Sequence, residues 1–285
     1  MKSRLAVAAA ALLFAVSAQA QTFLLDLPLK SQEAEVSQRI GLTTISIRYH
    51  RPLVNGRKIW GDLVPYGKVW RTGANLNTTI AFTDPVTVEG KTLAAGTYGL
   101  HMIPTAGDWT VILSKNSTSW GSFSYNQAED ALRATVTPQA SDMHEALTYE
   151  FDDLHPDSAT IELKWEKLAI PIHVSVDVHA VAEASIQRQL RSLPGYSWMG
   201  PEEAAEYLLG ENVALDDALA YANKSIGIED RIENEMTKEK ILRALHRDAE
   251  ANAARARARD FATNEMKVAS DARRKELQDI LKQVQ

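Results

Sequence analysis

The sequence predicts a two-part α+β chain, in which an antiparallel β-sandwich, or a barrel-like variant of it, precedes an all-helical region. Three observations lead there. Between residues 40 and 179 apolar side chains alternate with polar ones at a period of two, as in half-buried strands. Short Gly- and Asn-bearing turns punctuate these runs with no helices between them, which favours antiparallel pairing over a parallel sheet. From about residue 180 the period becomes helical, and Ala, Glu, Arg and Leu dominate.

At the N-terminus, residues 1–20 read as a cleavable export signal. Lys2 and Arg4 form a basic start, residues 5–16 are apolar, and Ala18-Gln19-Ala20 offers the small-x-small pattern for cleavage before Gln21. A membrane-spanning helix needs roughly 20 apolar residues, so this shorter run is expected to be removed rather than kept as an anchor, and no later run is long enough to span. The zero count of cysteine excludes a lipid-modified signal, disulfides, thiolate metal sites and a thiol nucleophile. The expected location is periplasmic or secreted. Losing Lys2 and Arg4 takes the formal charge from −6 to −8, which disfavours nucleic acid as a partner.

The β-part is expected over residues 36–178 as eight or nine short strands. Ile45, Ile47 and Tyr49 alternate with Ser46 and Arg48; Trp109, Val111 and Leu113 alternate with Asp108 and Thr110; Ile161, Leu163 and Trp165 alternate with Glu162, Lys164 and Glu166. A final strand is expected over residues 170–178. Val54-Asn55-Gly56-Arg57, Glu89-Gly90-Lys91 and Ala106-Gly107-Asp108 supply the turns.

The helical part is expected over residues 180–285. Pro194, Gly195, Gly200 and Pro201 interrupt it early, and Pro201-Glu202-Glu203 opens a helix with acids at the positive dipole end. Leu215, Leu219, Ala222 and Ile226 make one apolar stripe. Residues 218–225 and 251–258 lie 33 apart, near the roughly 34 of a tetratricopeptide repeat. The competing reading is an irregular helical hairpin packed on the β-domain. Both make this region a scaffold or a docking surface for a protein partner. Arg255, Arg257 and Arg259 follow one another two apart, about 200° around a helix, and so form no single basic face.

Function points to one stretch. Arg48, Arg51, Arg57, Lys58, Lys68 and Arg71 fall within 24 residues that hold a single acid, Asp62, giving a local charge of +5 in an acidic chain. Trp60, Tyr66 and Trp70 lie among Gly56, Gly61, Gly67 and Gly73, so guanidinium forks and flat rings share loops where backbone can approach a ligand. Arginine grips carboxylate, sulfate or phosphate bidentately, and an indole stacks on the apolar face of a sugar, so the expected ligand is anionic, polar or saccharide. The alternative is structural, with Arg57 or Arg71 paired to Asp62, Asp84 or Glu162 and the tryptophans in the core.

The same stretch, Tyr49-His50-Arg51-Pro52 and then residues 56–75 from Gly56-Arg57-Lys58 to Arg71-Thr72-Gly73-Ala74-Asn75, resembles the signature of the bacterial domain of unknown function family 2911. The resemblance continues through Thr78, Gly90, Ala95-Gly96-Thr97-Tyr98, Ile103-Pro104, Trp109, Trp120-Gly121, Tyr125 and Asp130 to Trp165-Glu166. It implies an exported β-rich domain, often with a tetratricopeptide-like tail, and names no substrate. Trp60 stands where the family tends to have Phe, residues 94–96 lack its usual proline, and His50 holds a position commonly small and polar there. The candidate ligand-binding residues are therefore Arg51, Arg57, Trp70, Arg71 and Asn75, ahead of His50.

The residues favour a binding or interaction module over an enzyme and single out no catalytic group and no cofactor. The competing class is a hydrolase. His173, Ser175, Asp177 and His179 would share one face of a continued strand and offer metal ligands, although no metal motif is complete; Asp130 and Glu162 would serve as paired carboxylates. There is no His-Glu-x-x-His and no Gly-x-Ser-x-Gly. A third reading is a purely structural envelope module.

Overall fold

The computed structural model describes residues 27–283; the export signal expected over residues 1–20 lies outside them. Ten strands lie among the described residues, in two antiparallel sheets. β1 (Gln32–Ile40), β2 (Thr43–Arg51), β3 (Thr79–Phe82), β6 (Gly96–Ile103), β7 (Trp109–Ser114) and β8 (Asp130–Val136) form one in the order β1-β2-β3-β6-β7-β8. β4 (Val86–Val88), β5 (Lys91–Leu93), β9 (Gln139–Asp152) and β10 (Ser158–Ser175) form the other in the order β5-β4-β10-β9.

Alternation decides what each sheet buries. Ile45, Ile47, Leu100 and Val111 of the first sheet and Leu147, Ile161, Leu163 and Ile172 of the second belong to one apolar cluster between them. Four tryptophans join it. Trp60 packs edge-on against Trp70, Trp109 and Trp165, while Trp70 stacks on Trp165 with centroids 5.9 Å apart.

The turns follow their residues. Glu89 and Gly90 both have positive φ, the left-handed pair that closes the two-residue hairpin of β4 and β5 without splaying its strands, and Asn55 and Gly56 make the same kind of tight turn, closed by the Arg57 amide on the Val54 carbonyl. The two strands expected before and after residue 168 are one 18-residue strand, β10, bulged around Glu166, whose φ is +56°. That strand stops at Ser175. Asp177 accepts a hydrogen bond from the Ala180 amide at 3.0 Å and so caps a helix where strand was expected to continue.

The helices are α1 (Val178–Gln189), α2 (Met199–Gly210), α3 (Leu215–Ile228), α4 (Ile232–Ala244), α5 (Asp248–Glu265) and α6 (Asp271–Gln283). α2 and α4 start 33 residues apart, at Met199 and Ile232, and so do α3 and α5, at Leu215 and Asp248. From α2 onward each helix packs on its neighbour in sequence, and fully buried Ala218, Ala222, Ala251 and Ala254 let backbones come close. α1 joins the two parts: Val178 and Val181 pack against the sandwich core. Among the described residues no helix is long and apolar enough to cross a membrane.

Candidate functional site

Period two places Tyr98, Leu100 and Met102 of β6 toward the core, so Gly99 and His101 face outward. Both are nevertheless buried, His101 to 2 % exposure. The cause is the segment after β7, residues 115–126, which folds back over the outer face of the six-stranded sheet. A Cβ on Gly99 would lie 2.5 Å from the Asn116 carbonyl oxygen and 2.6 Å from Asn77 Nδ2, so only glycine admits the fold-back.

Beneath that segment is a polar network. His101 Nδ1 and Ser122 Oγ are 2.9 Å apart, and Tyr125 lies ring-to-ring with His101 at 5.7 Å. Tyr125 donates its hydroxyl to Asp130 Oδ2 at 2.7 Å, and Arg133 Nη1 reaches the same oxygen at 3.2 Å. Burial pushes the His101 imidazolium down to about 4, which leaves the ring neutral at pH 7. Burial and the Asp130 carboxylate push the Tyr125 hydroxyl up to about 12.

Beside it lies a small cavity of about 200 Å³, lined in part by His50, Asn77, Arg48, Ser117, Thr118 and Ser119. Arg48 is neutralised by Glu33, to which its Nε donates at 2.7 Å. His50 Nε2 lies 3.8 Å from Glu33 as well, yet its pKa falls, first through burial, with Glu33 opposing and Arg48 and Arg71 adding to the fall. Asn77 is only 8 % exposed, and among the described residues its Oδ1 has no partner.

Arg71 is set here by strained backbone. Trp70 exchanges hydrogen bonds with Met102, which places Arg71 beside His101 on the outer face. The next residue, Thr72, has a φ of +52°, an uncommon state for a β-branched side chain. Three bonds hold it: its Oγ1 donates to the Leu100 carbonyl, and its own carbonyl accepts from Tyr149 and Thr78 hydroxyls. Gly73 follows because a Cβ there would stand 2.7 Å from Thr78 Oγ1. Among the described residues the half-buried Arg71 guanidinium has no hydrogen-bond acceptor and no acid partner, and its Nε is buried without one. Burial lowers its pKa, but guanidinium stays charged in proteins, so an uncompensated cation remains.

The other four candidates are engaged elsewhere. Arg51 donates from Nε to the Leu147 carbonyl at 3.0 Å and from Nη2 to Thr148 Oγ1 at 2.7 Å, stapling β2 to β9. Arg57 folds back on its own turn, to the carbonyls of Val54 and Leu53. Trp70 belongs to the tryptophan cluster, and Asn75 donates to the Ser31 carbonyl at 3.0 Å. Among the described residues no hydrogen bond, ion pair or ring contact joins any two of the five, and neither Arg57 nor Arg71 pairs with Asp62, Asp84 or Glu162. Sequence reasoning missed Asn77 and His101, and it ranked His50 last. Gly99, a glycine inside a strand, was the available signal of close backbone approach.

The hydrolase alternatives do not assemble. With β10 ending at Ser175, Asp177 caps α1 and His179 lies in it, so the expected ligand face is broken after two residues. His173 Nδ1 is 3.0 Å from Thr160 Oγ1. Asp130 and Glu162 belong to different sheets. Glu150, Asp152 and Glu162 bring oxygens within 4.8 Å of one another, but Lys164 sits among them, bonded to Glu150 and to Glu162. Its ammonium is the cation of that cluster, and both carboxylates raise its pKa.

No curated protein and no solved structure matches the chain. The family described as "Protein of unknown function (DUF2911)" matches over residues 31–174, from one residue before β1 to one residue before the end of β10. That span is half of the 285 residues and contains both sheets and the polar network, and the chain therefore belongs to the DUF2911 family.

Proposed function

We propose that the β-domain is a binding module that captures an anionic group at Arg71, with His50, Asn77 and the segment over residues 115–126 forming the surroundings of the bound group. The observation that carries this is the half-buried guanidinium without acceptor or counter-charge, on a turn held in strain beside it. A buried charge left unpaired is costly, and a carboxylate, sulfate or phosphate would offset that cost through charge-assisted bonds to the Arg71 fork. Arg51, Arg57, Trp70 and Asn75 are in this reading the frame that holds the turn, each tied to backbone or to the core. The chain would act outside the cytoplasm, a reading supported by the basic, apolar and small-residue order of residues 1–20.

Titration of the purified chain with phosphate, sulfate and glucuronate, followed by amide chemical shifts, tests it. Saturable shifts at Gly121 and Asn77 that vanish in Arg71→Gln are expected. Shifts that survive this substitution, or none at all, would remove the reading.

A second reading has its own support. Leu193 and Tyr196, between α1 and α2, are 83 % and 82 % exposed, more than a surface bend requires. They suit docking of a protein partner on the helical side, and retention of native partners by a Leu193→Ser, Tyr196→Ser double variant would oppose it.

A further inference from the structure

The segment that covers the sheet also carries the two large aromatic side chains most exposed on the β-domain. Trp120 is 63 % and Phe123 79 % exposed, and their rings stack on each other at 5.4 Å and 20°. Gly121, with a φ of +67°, makes the turn between them possible. From below, the same turn is fixed by Ser122 against His101 and by Gly121 against the Arg71 guanidinium. Just before Trp120, Ser117, Thr118 and Ser119 line the cavity of about 200 Å³.

Three kinds of group therefore lie on or against one short segment: an exposed stacked pair of rings, hydroxyls lining a hollow, and the Arg71 guanidinium against Gly121. The cavity falls below the roughly 300–1,000 Å³ of pockets for drug-sized apolar ligands. Its lining joins the hydroxyls of Ser117, Thr118 and Ser119 and the Asn77 amide to the Arg48–Glu33 pair and to Leu76, so it offers a small ring both hydrogen-bond partners and an apolar wall. The C–H face of a pyranose stacks on indole, its hydroxyls exchange bonds with Ser, Thr and Asn, and an anionic substituent meets the guanidinium.

Resting on the anion-binding reading of Arg71, we propose that the ligand is a pyranose bearing an anionic group, such as a uronic acid, with Trp120 as its stacking platform. The comparison is of glucuronate with acetate, glucose and adenosine monophosphate, by amide shifts in the full chain and in Trp120→Ala. Glucuronate is expected to bind more tightly than acetate or glucose, and Trp120→Ala to weaken glucuronate by about three- to tenfold while leaving acetate unchanged. Phe123→Ser, a change on the same exposed pair, serves as the second variant if Trp120→Ala disturbs the loop. Equal affinity for glucuronate and acetate would overturn the saccharide assignment while leaving anion capture intact. Tighter binding of adenosine monophosphate than glucuronate would overturn it in favour of a nucleotide. Failure of every anion to bind would take down the Arg71 reading itself.

Discussion

A Cβ added to Gly121 would stand 2.7 Å from Nη1 of Arg71, closer than non-bonded atoms approach. The cation and the loop above it are thus in close contact. Gly121 also holds a φ of +67° that L-residues rarely adopt. Gly121→Ala is expected to cost about 1–2 kcal/mol and to displace the guanidinium, so that anion affinity falls although Arg71 is present. Denaturant unfolding and titration of this variant measure the two effects separately; unchanged anion affinity would contradict the packing.

The pH dependence follows from His101. Its folded-state pKa, about 4, lies below the unfolded value near 6.5, so the unfolded chain binds more protons between these two values. Stability from this group is complete above pH 6.5 and is lost as pH falls toward 4, by about 3 kcal/mol at most. His50 shifts in the same direction through burial. His101→Phe is expected to flatten the acid limb of the stability profile, measured by thermal melts between pH 4 and 7. An unaltered limb would show that other groups set it.

Trp70 separates framework from site. Its ring stacks on Trp165 and meets Trp60 at 5.7 Å. Trp70→Ala is expected to lose about 3–5 kcal/mol of stability, as for other large-to-small changes among packed aromatics. Anion affinity of the folded fraction should change far less than in Arg71→Gln, which titration below the melting range would reveal.

In the helical region Glu202 and Glu235 occupy equivalent positions of the 33-residue repeat, in the first turns of α2 and α4, and both are buried. Burial raises both pKa values. The folded state then binds more protons than the unfolded one just above the ordinary carboxylate pKa, so the protonated form favours folding and stability falls as pH rises. Glu235 has Arg257 at 3.2 Å, whereas among the described residues Glu202 has no ion-pair partner, and Thr237 and then Lys240 only partly oppose the effect of burial. Glu202→Gln is expected to stabilise the helices at pH 7 by about 1 kcal/mol, read by urea denaturation, with a smaller gain at pH 4.

Much of the architecture was legible because it rests on local periodicity. Ile45, Ile47 and Tyr49 alternate as the core requires, and the Asn55-Gly56 and Glu89-Gly90 pairs carry the left-handed turns their residues suit. The break at Ser175 was less legible, since Asp177 fits a strand face and a helix cap equally well, and capping won. Of the five residues singled out in the sequence, only Arg71 lies in the proposed site. Arginine in a basic, glycine-rich stretch signals either a site or a tether, and composition cannot show that Arg51 and Arg57 find carbonyl partners while Arg71 finds none among the described residues. His101 stayed hidden for a similar reason. Its burial depends on a segment that returns over the outer sheet face, a long-range event with no local periodicity.

Thermal melting of the β-domain transition in the full chain, with increasing glucuronate or phosphate against chloride at equal ionic strength, tests the central claim most directly. A ligand that occupies the Arg71 site only in the folded state stabilises by about 2.7 kcal/mol at a hundred times its Kd, a rise of about 5 °C or more. The rise should be absent in Arg71→Gln, whose own melting point in chloride is expected at or above that of the parent chain, because no ion pair is lost and an uncompensated half-buried charge is removed. An equal rise in both proteins, or no rise in the parent, would contradict anion capture by Arg71.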